Sequence, residues 1–355
     1  MANNAELIKQ RYGNPFDVLK RVEQAASKGY DTLTEDDLFM CKWVGLYTHR
    51  HEKGYFMLRT KQPNGFITPE QFDTMADIAE TQNRGFVDIT TRQDFQLHWC
   101  HVREVPMLFD QLKAVGITTQ GACGDVIRNV VGCPGSGVDR EEVLDAGPVA
   151  QQIHEAFLNN PAYANLPRKY KVCVTGCQSL CPHPEIDCVS FVGHQQGGTA
   201  GFDVRVGGGL STQPFFAQRL NAFVRPEQVV ELLLAITDIW RDTPDYREKR
   251  HHARFKYLIH DWGVEKFRQA LETKLGRALE PSPAYQDPPD RYRDHVGVHA
   301  QKQDGLFYVG VPVLVGRITS KQLQRVADLS ERYAKPPPGA TGTALRLTTR
   351  QNILL

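Results

Sequence analysis

Leu347-Thr348-Thr349-Arg350-Gln351-Asn352 repeats, far down the chain, Ile89-Thr90-Thr91-Arg92-Gln93-Asp94. The likeness extends outward from this pair. Gly305-Leu306-Phe307-Tyr308-Val309-Gly310 parallels Gly54-Tyr55-Phe56-Met57-Leu58-Arg59, and Gly316-Arg317-Ile318-Thr319-Ser320 parallels Gly65-Phe66-Ile67-Thr68-Pro69. Between them Val326-Ala327-Asp328 aligns with Met75-Ala76-Asp77, and the loop Pro336-Pro337-Pro338-Gly339 absorbs a longer spacing in the second copy. Self-similarity in a fixed order marks an internal duplication. In the first copy, residues 54–61 read as a strand closed by the turn Gln62-Pro63-Asn64-Gly65. Thr68 caps a helix that opens on Pro69, residues 85–91 and 95–98 read as strands, and a second helix runs from Pro106 to Val115. Strands alternating with helices in this order predict a ferredoxin-like α+β unit.

The chain of 355 residues carries 42 Lys and Arg against 41 Asp and Glu, a net charge of +1. No global electrostatic footprint for nucleic acid follows from this balance, so any anion site is local. No apolar run approaches the length of a membrane span, and the N-terminus lacks the basic and apolar regions of a signal peptide. A cytoplasmic protein with neither membrane nor nucleic-acid partner is the expectation. Eight cysteines lie at 41, 100, 123, 133, 173, 177, 181 and 188. Without a secretory signal they suggest a metal or cluster role, or inert buried thiols, rather than disulfides.

Before the duplication, residues 15–28 read as a helix capped by Asn14 and ended by Gly29, and Thr34 caps another. Between the copies, residues 121–129 form a glycine-punctuated connector with one cation, Arg128. Residues 140–159 look helical, and 166–206 look like strands around a cysteine loop. Gly207-Gly208-Gly209 breaks the chain, a helix opens at Arg225-Pro226-Glu227, and a charged helical region ends near Gly276. A Pro-, Asp- and Ser-rich linker follows. The expected units are an N-terminal helical extension (1–45), a ferredoxin-like half-domain (46–118), a central domain (119–277), the linker (278–297) and a second half-domain (298–355).

Leu166-Pro167-Arg168-Lys169-Tyr170-Lys171-Val172-Cys173 sets three cations before an apolar run. On an extended chain side chains alternate, so Lys169 and Lys171 share one face and Arg168 takes the other. Two ammonium groups on one face suit an anion between them; a solvated, basic strand edge is the alternative.

Four pieces occur in order: residues 57–65, Thr90 to His98, Gly124-Asp125-Val126-Ile127-Arg128-Asn129, and Leu166 to Lys171. Together, and with Gly201-Phe202-Asp203-Val204-Arg205-Val206, the chain from about residue 40 resembles the sirohaem-dependent nitrite and sulfite reductase family. The resemblance implies duplicated ferredoxin-like half-domains around a mixed α/β haem-binding domain. It implies six-electron reduction of sulfite or nitrite at a sirohaem coupled to a 4Fe–4S cluster, with ferredoxin or a flavoprotein as electron donor. It places Arg59, Arg128, Lys169 and Lys171 around the substrate anion, and Arg92, Gln96, His98 and Arg168 along the sirohaem. Such a pocket needs fixed cations, because both cofactor and substrate are anionic. In the family, a lysine at the position of Lys171 goes with sulfite, and an asparagine there goes with nitrite. A tetrapyrrole- or anion-binding protein without activity, and a relative acting in cobalamin-precursor synthesis, are the alternatives.

The family's cluster cysteines, C-x5-C and C-x3-C, belong to the second copy, whose counterparts are expected beyond Leu355. The chain by itself is therefore not expected to turn over sulfite or nitrite. In the first copy, Cys133, Cys177 and Cys181 occupy three of the four equivalent positions and Asp139 the fourth. They read as cluster ligands, as unligated relics of the duplication, or as part of a zinc site drawn from Cys173, Cys177, Cys181, Cys188 and His183.

Overall fold

The computed structural model describes residues 4–49, 52–158, 160–284, 293–334 and 344–355. Most of the expected linker, and the loop Pro336 to Gly339, lie outside these residues. In chain order the strands are β1 Leu46–Thr48, β2 Tyr55–Arg59, β3 Phe66–Ile67, β4 Phe86–Ile89, β5 Phe95–His101, β6 Val131–Gly132, β7 Val172–Thr175 and β8 Val189–Gln196. They continue as β9 Thr199–Val206, β10 Gln218–Val224, β11 Gly297–Ala300, β12 Phe307–Val311, β13 Arg317–Thr319, β14 Leu345–Leu347 and β15 Ile353–Leu354.

Two sheets repeat one another. The first has the order β1-β2-β5-β4-β13 and the second β11-β12-β15-β14-β3. Each half-domain thus lends one strand to the other: β13 pairs antiparallel with β4 (Ile318 opposite Val87), and β3 with β14 (Ile67 opposite Leu345). The helices Pro69–Gln82 and Ser320–Tyr333 pack together above this exchange. Both begin with a reciprocal cap, Thr68 with Gln71 and Thr319 with Gln322, which satisfies two amide donors at each helix start. A single apolar core, including Phe72, Val87, Phe95, Ile318, Leu323 and Leu345, runs through both halves. The duplication read from the sequence is therefore one interlocked body.

The turns that hand strands across are constrained alike. Asn64 and Val315 are left-handed at φ 55° and 51°, as are Gln93 and Gln351 at 58° and 64°. The Gln93 amide donates to the Leu347 carbonyl at 2.9 Å, and the Gln351 amide donates to the Ile89 carbonyl at 2.9 Å. The backbone runs so close here that a Cβ on Gly65 would stand 2.2 Å from the Leu347 oxygen.

The central domain builds a sheet of order β10-β9-β8-β7-β6, parallel from β6 to β8 and antiparallel beyond. Its core gathers Phe191, Phe202, Leu232, Ile236, Trp240 and Phe255 with Tyr170. Two expectations change. The helix expected over 140–159 begins only at Gly147, where Pro148 occupies the first turn, and residues before it form turns, with Glu142 bridged to Cys177. A proline is accommodated only where no helical amide bond is lost, so Pro148 sets the start. Strand β7 begins at Val172, so Arg168 to Lys171 precede it: Tyr170 forms an isolated bridge with Ile127, and the Lys171 carbonyl accepts from the amides of Cys188 at 3.0 Å and Val189 at 3.3 Å.

Gly65→Ala should destabilise the protein by about 2 kcal/mol or more, combining a left-handed residue with a backbone clash. Gly85→Ala shares the positive φ but meets nothing within 4 Å, and should cost about half as much or less. Denaturant unfolding of both variants checks the difference.

Candidate anion and cofactor site

The arginine turns lie where the halves meet. Thr90 accepts the amide of Arg92 at 3.0 Å, and Thr348 accepts that of Arg350 at 3.1 Å. A cavity of about 260 Å3 is lined by Thr91, Arg92, Lys171, Asp187, Thr349 and Arg350, among others. Both copies of the repeated turn therefore face one space. The sequence reading assigned a role to Arg92 alone, although the repeat itself was the signal for Thr349 and Arg350.

Arg92 is held by Asp187 at 2.9 Å and by the Asn129 carbonyl at 2.6 Å, while its buried Nε has no hydrogen-bond partner. Asn129 donates to the carbonyls of Gln62 at 2.7 Å and Arg92 at 2.8 Å, tying the connector to the turn. Arg59, at the end of β2, bonds Gln96 on β5, contacts the Cys123 thiol at 3.7 Å, and lies 3.8 Å from Asp94. Arg128 is buried and rests on backbone: it donates to the carbonyls of Gly124 at 3.0 Å and Ala122 at 3.3 Å. Carbonyls orient a guanidinium without neutralising it, so its charge stays available to a ligand.

Lys169 and Lys171 flank Tyr170, whose ring is fully buried 5.2 Å from that of Trp240. The alternation expected of this stretch thus survives without a strand, because the tyrosine anchors it. Burial, with Arg254, Arg128, Lys171 and Arg168 around it, brings the Lys169 amine down to about 8. Burial and the neighbouring Arg92 also lower Lys171, against the opposing pull of Asp187. Arg254, with an unpartnered buried Nε, is a site residue the sequence did not signal. It sits far along the chain, in a region that reads only as charged helix.

Two further candidates are engaged by carboxylates. Arg168 reaches Asp125 at 3.4 Å, joining a buried network in which Arg250 bonds the same carboxylate at 3.0 Å and Lys9 lies 3.5 Å from it. Burial opposes ionisation of Asp125, but Lys9, Arg250 and Arg168 hold its carboxyl below the usual range. His98 faces Asp88 at 3.2 Å, and Asp88 is clamped by Arg317 at 2.8 and 3.0 Å. Burial pulls Asp88 up, yet His98 and Arg317 together bring it to about 2.

Cys133, Cys177 and Cys181 gather into one buried cluster, whereas Cys173 lies within β7 and Cys188 contacts Arg254 at 3.6 Å. His183 is paired with Glu185 at 3.1 Å. Of the zinc set expected from Cys173, Cys177, Cys181, Cys188 and His183, Cys177 and Cys181 join this cluster. Cys41 and Cys100 are buried thiols pushed up to about 12 by burial.

The donor set fits a polyanionic macrocycle with an anion beside it. Arg92, Arg350 and Lys171, from the two halves and the central domain, line one cavity, and buried Nε atoms of Arg59, Arg92 and Arg254 have no hydrogen-bond partner. A four-iron cluster fits the three clustered thiols poorly. In a cube each thiolate bonds a different iron, yet Cys133 lies within 4.8 Å of both other sulfurs.

Asp125→Asn should cost about 3–5 kcal/mol, since it leaves buried cations without their counter-charge. Urea unfolding should show that loss, and the stability of the parent should fall as pH drops through the depressed Asp125 titration.

Comparison with known proteins bears on the fold and the family. The family model described as the nitrite and sulphite reductase 4Fe-4S domain matches residues 123–279. That described as the nitrite/sulfite reductase ferredoxin-like half domain matches 47–115 and 299–355. A ferredoxin sulfite reductase of Mycolicibacterium paratuberculosis is 40% identical over 351 residues, 93% of this chain and 62% of the relative. An assimilatory ferredoxin-dependent nitrite reductase of Haloferax mediterranei is 33% identical, covering 99% of this chain and 64% of its own. The structure of the Mycobacterium tuberculosis NirA protein superposes with a TM-score of 0.91 at 37% identity, over 99% of this chain and 66% of that one. The chain thus spans less than two thirds of the length of these relatives. Two matching half-domains and a matching central domain make this chain a member of the nitrite and sulfite reductase family.

Proposed function

We propose that this chain forms the sirohaem- and anion-binding part of an enzyme that reduces sulfite or nitrite by six electrons, with ferredoxin as donor. The observation that carries the reading is the gathering of Arg254, Arg128, Lys171 and Arg168 around Lys169, with buried Nε atoms of Arg59, Arg92 and Arg254 left without a hydrogen-bond partner. Cations gathered in this way attract an anion, which offsets their mutual repulsion. The ferredoxin assignment rests on the names of the relatives above, and it takes precedence over a flavoprotein.

Arg92, with Gln96 and Arg350, would hold the carboxylates of the macrocycle, and Arg59, Arg128, Lys169 and Lys171 would hold the substrate. Once bound, the sirohaem and a 4Fe–4S cluster would carry the donor's electrons to the anion. The chain's own part is orientation and protons. Arg128, fixed on the carbonyls of Gly124 and Ala122, presents a permanent charge. Lys169 titrates near the operating pH and is suited to pass a proton to the developing product. His98 and Arg168, engaged with Asp88 and Asp125, would support the pocket from behind.

The sign of the pH dependence follows from Lys169. An anion favours the ammonium form, so affinity for sulfite or nitrite should be full below pH 8 and fall by up to about tenfold per unit above it. Lys169→Arg should remove that step while keeping binding. Spectral titration of the loaded protein across pH reads both, and a flat profile in the parent would count against the assignment.

The substrate reading favours sulfite. Sulfite carries more negative charge than nitrite near neutral pH, and Lys171 adds a cation worth on the order of 4 kcal/mol at about 4 Å before desolvation. Lys171→Asn in the complete enzyme should lower the ratio of kcat/KM for sulfite over nitrite by about tenfold. A ratio that does not fall removes this preference.

A further inference from the structure

We propose that Cys133, Cys181 and His295 form a three-coordinate site for one soft monovalent cation, copper(I), apart from the anion site described above. Cys133 follows β6, Cys181 lies in the loop after β7, and His295 stands just before β11 in the second half-domain. All three are buried, with exposures of 2%, 5% and 2%.

Their ligand atoms, two sulfurs and one imidazole nitrogen, all lie within 4.8 Å of one another. The Cys133 sulfur is 3.8 Å from His295 Nε2. With bonds of about 2.3 Å to sulfur and about 2.0–2.1 Å to nitrogen, as in zinc sites, two ligands of one ion stand about 3.5–3.8 Å apart. The pair can therefore share an ion as it stands.

Three ligands converge, and the neighbouring groups turn away. Cys177 groups with Cys133 and Asp139 only. Its sulfur meets Ser179, 2.8 Å from the hydroxyl and 3.3 Å from the amide nitrogen. Asp139 is held by Arg293 at 2.8 Å. Among the described residues no fourth Cys, His, Asp or Glu joins all three ligand atoms. Zinc in a buried structural site takes four protein ligands, and hard cations take oxygen. Thiolates select soft ions such as copper(I), whose closed shell is satisfied by three donors.

The surroundings are arranged for this set. His295 Nδ1 is 3.1 Å from the Tyr308 hydroxyl oxygen, which also accepts from Arg293 at 3.2 Å. With Nδ1 donating to that oxygen, Nε2 is left unprotonated toward Cys133. Ligating histidines are oriented in this way by a bond at the far nitrogen. The backbone of His295 is seated tightly: a Cβ on Gly310 would stand 1.6 Å from its carbonyl oxygen. Thr349 donates to the Cys181 carbonyl at 3.2 Å. Arg346 donates to the carbonyls of Pro134 at 2.7 Å and Ser136 at 2.8 Å, holding the loop after Cys133. Two thiolates and one copper(I) carry a net negative charge, and the buried Arg346 guanidinium beside that loop offsets it.

Pro182 and His183, which follow Cys181, line the cavity between the arginine turns, so the site adjoins that space. Copper(I) here would fasten the second half-domain to the central domain. The inference does not depend on the anion reading.

The test loads the full chain, with thiols reduced and oxygen excluded, from the copper(I) complex of bathocuproine disulfonate. The chain should take one copper(I) from the chelator, and X-ray absorption should show two sulfurs and one nitrogen around it. Tyr308→Phe, which loses the hydroxyl behind the ring, should weaken binding about tenfold. Cys181→Ser and His295→Ala should each weaken it further, whereas Cys177→Ser should leave it unchanged. In case a ligand variant fails to fold, the parent gives a second reading: an excess of zinc should not displace the copper. Failure of the reduced, folded chain to take copper(I) overturns the proposal. So does a fourth ligand in the X-ray absorption, displacement by zinc, a loss with Cys177→Ser as large as with Cys181→Ser, or iron with inorganic sulfide at these residues.

Discussion

The exchange of β3 and β13 between the half-domains is the constraint from which the remaining geometry follows. A strand lent to the other copy cannot slip, because a shift of one residue would turn its apolar face to solvent. The two glutamine amides, Gln93 to the Leu347 carbonyl and Gln351 to the Ile89 carbonyl, lock the exchange from both sides. Each lies in the turn that carries an arginine, Arg92 or Arg350. The same contacts that join the halves therefore aim both arginine turns into one cavity.

Charge is distributed in two different ways within this frame. Around Asp125 the buried cations are matched by a carboxylate, and the network ties the N-terminal helix, through Lys9, to the central domain. Around Lys169 the cations are not matched: Arg128 is oriented by carbonyls, and Arg254 and Lys171 add to the repulsion. The first arrangement holds the fold and the second leaves room for a ligand. The contrast explains why Arg168 and Lys169, adjacent in sequence, take different parts.

The cysteine cluster belongs to the same meeting of domains. Its thiols come from loops at the ends of parallel strands β6 and β7, and its histidine from the segment entering the second half-domain. Neighbouring strands bring together residues that are widely separated in the chain. Spacing rules for metal sites do not register such a set, which is why His295 was not foreseen and His183 was considered instead.

The sequence by itself determined the duplication, the caps at Thr34 and Thr68, the helices that open on proline, and the family. These rest on local backbone preferences and on a repeat that is visible without folding. The family resemblance added the expectation that Arg59, Arg128, Lys169 and Lys171 share one site. Only the tertiary structure decided the strand exchange, the pairing of Arg168 with Asp125, and the arrival of Arg254 beside Lys169. It also moved the helix start from 140 to Gly147 and brought His295 to Cys133. The physical reason is the same throughout: burial and long-range pairing choose a side chain's partners, and neither is encoded in the residues next to it.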